Sequence, residues 1–379
     1  MSHAELVSLL QAARTARRDR PHVPLALATL VAVEGSSYRQ PGARLLCDGQ
    51  RRVLAGAISG GCLEGDVAEH AAAVCASRTA QLLRYDLRED LETIWGFGTG
   101  CDGVAHVLLA PLPDLAPLEQ AIAAAEARTA GALLVALDGP AFGVSTFASA
   151  ESPDTPQARA LEVVLRTGSA WLSEATPRMF ATPVLPPRQL IVVGASRGAE
   201  AMARIARAAG LIVSVVDHRD GVLAALDVAE EVARHTIAPD EAWTALDHRL
   251  LAHDARTAFA LCTHRFEHDA AWLRAALATD APYIGVLGSR QRATRLLAEC
   301  GIAAPHDAAR IFAPIGLDIG AESPDEIALA AVAELLTVLN ARAGGSLRER
   351  RAPLHTRSAT PQLPSLSTSA SCALETGRD

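Results

Sequence analysis

A chain of 379 residues, half of them hydrophobic, is long enough for two domains with separate cores. Its formal net charge of −8 excludes the basic footprint of a nucleic-acid binder, and no apolar run is long enough to span a membrane. Seven cysteines, an odd number without dense spacing and with no export signal ahead of them, exclude a disulfide framework and point to a reducing cytoplasm.

Met1 to Arg20 carries Glu5 among apolar residues and reads as an amphipathic opening helix. The apolar run from Val23 to Val33 predicts a buried strand that stops at Glu34-Gly35-Ser36-Ser37. From Tyr38 to Arg44 the loop is rich in hydroxyls, arginines and glycines, which suits an anionic ligand and equally a solvated turn. A strand through Leu45 and Leu46, an Asp48-Gly49 hairpin signal and a strand from Arg52 to Ile58 follow. Next comes Ser59-Gly60-Gly61-Cys62-Leu63-Glu64-Gly65-Asp66, a thiol among small residues at the start of a helix expected to run to Ser77. At a helix N-terminus the dipole favours a thiolate, and unpaired N–H groups can hold an anion. The alternative is a tight turn whose cysteine is a small buried hydrophobe.

After a strand at Leu82 to Tyr85, a second cysteine, Cys101, lies in the glycine-rich stretch Gly96 to Gly103, just before a strand from Val104 to Leu109. Neither Cys62 nor Cys101 has a CxxC partner or a paired histidine, so a shared ligand pocket is favoured over a structural zinc site. A helix from Leu115 to Thr129, a strand from Ala132 to Leu137 and a polar loop from Ser149 to Gln157 complete an N-terminal mixed α/β domain, 1–182. The prolines from Pro183 to Pro187 mark a linker, 183–188.

A second domain, 189–345, opens with the strand Gln189 to Val193, the turn Gly194-Ala195-Ser196-Arg197-Gly198-Ala199 and an alanine-rich helix. The strand Leu211 to Val216 then ends in Asp217, 23 residues after Gly194. Strand, glycine turn, helix, strand and acid in this order predict a Rossmann-like doubly wound parallel sheet. Gly194, Ser196, Arg197 and Asp217 are its candidate nucleotide-binding residues, for NAD(P), with Ser196 standing where the middle glycine is usual. Strands at Thr257 to Thr263 and Tyr283 to Leu287 alternate with helices at Asp269 to Ala278 and Arg290 to Cys300. His264 and Ser289 follow strand ends and, with Asp318, are candidates to face the crevice. His264, His268 and Asp269 could form a metal set only on one helical face, so polar crevice residues or a solvated helix start are preferred. Ser323-Pro324-Asp325-Glu326 is a capping box that starts a last long helix, to about Ala341. The tail, 346–379, has few apolar residues and is expected to be disordered, with Cys372 incidental.

The motifs Val33-Glu34-Gly35-Ser36-Ser37, Pro41-Gly42-Ala43-Arg44, Ser59 to Asp66 and Gly100-Cys101-Asp102-Gly103 occur in this order. Thr263-His264, Tyr283 to Arg290 and Pro314 to Gly320 follow. Together they resemble the XdhC/CoxI family, accessory proteins of xanthine dehydrogenase and related molybdenum hydroxylases, over most of residues 1–343. The resemblance implies a chaperone for the molybdenum cofactor, molybdopterin, without turnover of its own. It would protect the cofactor while a cysteine desulfurase or sulfurtransferase supplies the sulfido ligand, then pass it to a xanthine dehydrogenase-type hydroxylase; a homodimer is expected. It also implies Cys62 as first contact to the cofactor and its molybdenum, Cys101 as second, and Gly60, Gly61 and Glu64 beside them. Ser36, Ser37 and Arg44 are expected around the phosphate. The chain departs from the family pattern at Tyr38, at Asp102 and at Ser196-Arg197. Two other readings are an NAD(P)-dependent oxidoreductase and a non-catalytic scaffold between hydroxylase and sulfurtransferase.

Overall fold

A computed structural model describes residues 1–35, 37–87, 103–149, 161–165, 168–172, 177–242, 244, 254–302 and 309–351. Ser36, Cys101, most of the expected loop 149–157 and the tail beyond 351 with Cys372 lie outside the described residues. The chain divides into two compact units, Met1–Pro186 and Pro187–Ala352.

Helix α1 (His3–Asp19) opens the first unit with a capping box, Ser2 accepting from the Glu5 amide and the Glu5 carboxylate accepting from the Ser2 amide. Leu6, Leu9, Leu10, Ala13 and Ala16 recur at helical spacing and are its buried face. Five antiparallel strands follow: β1 (Leu25–Gly35), β2 (Arg44–Asp48), β3 (Val53–Gly56), β4 (Gln81–Asp86) and β5 (Gly103–Pro111). They lie in the order β3-β2-β1-β5-β4. Alternate residues point to opposite faces. On one face Ala26, Ala28 and Leu30 pack with Val67, Ala71 and Val74 of α2 (Glu64–Ser77). On the other, Leu25 and Leu27 pack with α1 and with Leu118, Ala121 and Ile122 of α3 (Ala116–Glu126).

A second antiparallel sheet, which the sequence pattern shows only in its first strand, completes the unit. It contains β6 (Gly131–Ala136), β7 (Ser145–Ser149), β8 (Ala170–Leu172) and β9 (Met179–Val184), in the order β7-β6-β9-β8. β7 is rich in hydroxyls and β8 is three residues long, so neither shows an apolar alternation. The segment expected as a linker from residue 183 instead begins inside β9, where Pro183 pairs with Ala132 and Val184 with Gly131. β8 stops opposite Ala181, which leaves this end of β9 an edge where a proline is tolerated.

In the second unit six parallel strands, β10 (Gln189–Val193), β11 (Ile212–Asp217), β12 (Ala233–Thr236), β13 (Thr257–Leu261), β14 (Tyr283–Val286) and β15 (Ile311–Phe312), form one sheet. Its order, β12-β11-β10-β13-β14-β15, is the 3-2-1-4-5-6 arrangement of the Rossmann fold. β12 and β15 are four and two residues long, too short to leave a period in the sequence. The helices are α4 (Arg197–Ala208), α5 (Asp220–Ala224), α6 (Phe266–Leu277), α7 (Arg290–Glu299) and α8 (Pro324–Leu339). Leu190 and Val192 pack with α4, α5 and α8 on one face; Ile191 and Val193 pack with α6 and α7 on the other. Burial on both faces explains why β10 reads as an unbroken apolar run. No helix among the described residues is long and apolar enough to cross a membrane.

Gly56 ends β3 at φ +84°, and a Cβ there would stand 2.2 Å from the Arg44 carbonyl oxygen. Gly56→Ala is expected to lower the stability of the first unit by more than about 2 kcal/mol, through both backbone strain and that clash. Gly210→Ala, at φ +83° with open space around it, should cost the second unit roughly 1 kcal/mol. Urea unfolding followed by hydrogen exchange in each unit separates the two.

Candidate functional site

The first sheet brings two motif loops together at one end. β2 begins with Arg44 opposite Thr29 of β1, and β3 ends with Gly56 opposite Leu45, while β1, β4 and β5 run further, to Gly35 opposite Gly103 and Asp86 opposite Val104. The segments 37–43 and 57–63 therefore adjoin, one entering β2 at Arg44 and the other leaving β3 at Gly56. Cys101, outside the described residues, precedes Gly103 by two positions.

The loop carrying Cys62 is fixed by the residue expected to be a ligand group. Glu64 accepts hydrogen bonds from the amides of Ile58 (3.0 Å) and Ser59 (2.8 Å) and from the Ser59 hydroxyl. Ser59 Oγ in turn accepts from the amides of Gly61 and Leu63, both at 3.1 Å. Burial raises the Glu64 pKa, but these hydrogen bonds outweigh it and hold the carboxyl below its ordinary value. Glu64 is thus an anchor of the loop, with its carboxylate committed inside the chain.

What the loop leaves available is narrower than a generally unpaired turn. Four of its amides are satisfied by Glu64 and Ser59; those of Ala57, Gly60 and Cys62 have no acceptor among the described residues. Gly61 turns the chain at φ +112°, and Cys62 is exposed one residue before Leu63, the N-cap of α2. Tyr38, 70% exposed, lies against Gly60: a Cβ added there would meet its ring at 3.6 Å. Ser37 is half-buried on the same loop as Tyr38.

Arg44, expected around the phosphate, is turned inward. It is 6% exposed and donates to Thr182 Oγ1 of β9 (2.8 Å) and to the Gly42 carbonyl (3.3 Å). Gly42, at φ +98°, brings its own backbone against Thr182, where a Cβ would stand 2.7 Å from Cγ2. Pro41-Gly42-Ala43-Arg44 therefore joins the two sheets of this unit. No carboxylate neutralises Arg44 among the described residues, and burial pulls its pKa down to about 10. Arg39, on the same loop, pairs with Glu5 of α1.

Sequence reasoning passed over two further contacts. His106 of β5 lies 3.1 Å from the Glu34 carboxylate, and its pKa is lowered by burial despite that neighbour. Tyr85 donates to Asp66 at 2.6 Å, tying β4 to the first turn of α2. Both join residues of different elements, which no local spacing shows.

At the C-terminal edge of the parallel sheet, Gly194 sits at φ +108°, and a Cβ there would meet the Cys262 carbonyl oxygen at 2.5 Å. Ser196 is the N-cap of α4, accepting from the Ala199 amide, and Ser289 caps α7, accepting from the Arg292 amide. Asp217 is not available to a ribose. It is 5% exposed and accepts from the Ala195 amide (2.8 Å), the Arg219 amide (2.9 Å) and the Arg219 guanidinium through Nε (2.9 Å) and Nη2 (2.8 Å). Burial opposes its charge, but these bonds win and lower its pKa to about 2.

His264, exposed, occupies the left-handed region at φ +60°. Asp269 is fully buried, accepting from the Thr263 amide and hydroxyl and from Arg292. His268 stacks edge-on against His218 with ring centroids 4.7 Å apart. Asp269 is thus spent on the fold, and no group of three or more His, Cys, Asp or Glu among the described residues could hold a metal ion. Asp318 is exposed in the loop ahead of α8. Glu334 of α8, which the sequence does not single out, accepts from Tyr283 Oη (2.8 Å) and the Gly316 amide (2.9 Å) and fixes that loop.

Removing the Glu64 carboxylate should loosen the Cys62 loop. Glu64→Ala is expected to lower stability by roughly 1.5–3 kcal/mol at pH 7, the range for hydrogen bonds to a charged group. Because the folded-state pKa is depressed, this contribution is present above the ordinary carboxylate range and is lost as pH falls through the folded value. The gap between variant and wild type in denaturant titrations should therefore narrow below pH 4, and amide exchange at Gly61 and Leu63 should speed up in the variant.

Comparison with known proteins agrees with this architecture. The profile of the XdhC and CoxI family matches residues 19–86, and that of the XdhC Rossmann domain matches residues 190–335. The chain is 30% identical over 324 residues to a Bacillus subtilis protein named as a probable xanthine dehydrogenase subunit, covering 82% of this chain and 92% of that protein. It is 32% identical over 174 residues to the uncharacterized protein YqeB of Escherichia coli, covering 44% of this chain and 30% of that one. A crystal structure from Bacillus halodurans, described as a xanthine dehydrogenase, superimposes with a TM-score of 0.71 at 26% identity, over 90% of this chain and 97% of that one. With both units matched, and a relative at 30% identity aligned over most of both chains, this protein is a member of the XdhC and CoxI family.

Proposed function

We propose that this protein is an accessory protein of a xanthine dehydrogenase-type molybdenum hydroxylase, binding the molybdenum cofactor and passing it on after a cysteine desulfurase or sulfurtransferase has supplied its sulfido ligand. The observation that supports this most is the Cys62 loop. Its thiol is exposed, its backbone is held by Glu64 and Ser59, and the amides of Gly60, beside the Tyr38 ring, and Cys62 lack acceptors among the described residues. A soft sulfur donor, unpaired N–H groups and an aromatic face suit a sulfur-ligated metal, an anion and a planar heterocycle, the three chemical parts of the cofactor. When bound, the cofactor supplies the molybdenum centre that the client enzyme uses. The name of the Bacillus subtilis relative supports the choice of client.

The chain's own residues then have distinct tasks. Cys62 contacts the metal end, Tyr38 covers the heterocycle, and the Gly60 and Cys62 amides receive negative charge. Arg44, a buried cation with no carboxylate partner among the described residues, gives this unit a positive charge that an anionic ligand would offset. Cys101 and Ser36 are proposed as further contacts. A homodimer that releases cofactor to one client at a time, in the cytoplasm, fits a carrier without turnover. An NAD(P)-dependent oxidoreductase is the weaker reading, because Asp217 is committed to Ala195 and Arg219.

Purification without oxygen from a host that makes the cofactor should yield the protein with near-stoichiometric molybdenum and pterin. Cys62→Ala should lose most of both; if it retains them, the thiol has no part in binding. Tyr38→Ala should retain several-fold less pterin and Tyr38→Phe should retain it normally.

Arg44→Met gives a separate test. Replacing an uncompensated buried charge by an apolar side chain should leave the cofactor-free protein as stable or more stable by about 1 kcal/mol, while weakening cofactor retention. Equal loss of both, read by thermal unfolding and metal content, would assign Arg44 to the fold alone.

A further inference from the structure

In the parallel sheet Val193, the last residue of β10, lies opposite Val216 of β11 on one side and Leu261 of β13 on the other. His218 is the second residue beyond Val216, and His268 stands in the first turn of α6, the helix that follows β13. Their rings meet edge to face, with centroids 4.7 Å apart and planes at 86°. Strands about 4.8 Å apart put the ends of β11 and β13 roughly 10 Å from each other. The two side chains therefore meet over the end of β10, where Gly194 contributes no side chain. The contact also joins the two faces of the sheet: α5, which follows His218, packs on one face and α6 on the other.

Whether this contact holds depends on charge. Two neutral imidazoles, or one neutral and one charged, meet favourably, because a ring face attracts a positive edge or a cation. Two charged rings at this distance repel. Burial lowers the His268 pKa most, His218 and Arg265 lower it further, and Glu267 and Asp217 pull the other way. Two further elements pack against α6. On the 3-10 turn Pro239–Glu241, Asp240 and Glu241 are exposed, and on α7 Arg292 is held by the buried Asp269. Asp217 does not neutralise a second charge in full. His218 Nδ1 lies 3.1 Å from its Oδ1, but that carboxylate already holds the Arg219 guanidinium through two nitrogens.

We infer that His218 and His268 form a pH-sensitive strap over the end of β10, closed while at least one ring is neutral and open when both are charged. The strap sets how far the turn at Gly194-Ala195 is covered. It lies wholly in the second unit and does not depend on the cofactor reading of the first.

NMR titration of the histidine rings in the full-length protein, from about pH 8 to about pH 5, with amide exchange at Ala195 followed alongside, tests it. His268 should titrate below the ordinary imidazole range. At the acid end Ala195 should exchange several-fold faster in the wild type than in His218→Phe at the same pH. That variant keeps a ring against His268 without a second charge, so it should stay closed throughout and move the His268 titration upward. His218→Ala should exchange fast at every pH, and His264→Asn, which tolerates φ +60° outside the pair, should follow the wild type. The comparison of wild type with His218→Phe decides the matter if His218→Ala fails to fold. Ala195 exchange that runs the same course in those two proteins, or a His268 titration unmoved by His218→Phe, would overturn the inference.

Discussion

The shape of the candidate site depends on one carboxylate. A seven-residue loop leaving a strand edge could take many conformations, and an exposed cysteine on it would otherwise have no fixed position. Glu64 removes that freedom by accepting from two amides and a hydroxyl, and the hydroxyl passes the constraint on to two more amides. Among the described residues the amides left over are those of Ala57, Gly60 and Cys62, the last two on either side of the φ +112° turn at Gly61. Preorganisation of this kind lets a loop bind without first losing entropy.

The two units solve the problem of placing loops differently. In the first, antiparallel pairing lets strand ends and strand starts share an edge, so segments far apart in sequence leave side by side, as Gly35 beside Gly103. In the second, parallel pairing puts every strand end on one edge, and the turns after β10, β11, β13 and β14 collect there. Buried carboxylates, Asp217 and Asp269, then tie those turns to one another. Among the described residues, the first edge carries groups without intramolecular partners, the Cys62 thiol and the amides of Gly60 and Cys62. Such groups are where binding chemistry is expected.

Much of this was legible in the sequence because its signals are local. The Rossmann-like unit follows from an apolar run into Gly194 and an acid at Asp217, and the last helix from the capping box at Ser323 and Glu326, which the structure contains. The sheet β7-β6-β9-β8 was not legible beyond β6, since β8 has three residues and β9 contains a proline. Residue roles were harder than elements. Glu64, Arg44 and Asp217 have the chemistry of ligand contacts, yet their partners are Ser59, Thr182 and Arg219, and only folding shows that those bonds are already made. Arg219 lies two residues from Asp217, so that pair alone had a local trace.

In the proposed function Cys62 meets the metal of a bound cofactor. X-ray absorption at the molybdenum edge of the anaerobically purified protein, compared with Cys62→Ser, tests it most directly. One more sulfur neighbour is expected in the wild type than in the variant. Identical sulfur shells in the two proteins, at equal molybdenum content, would contradict it.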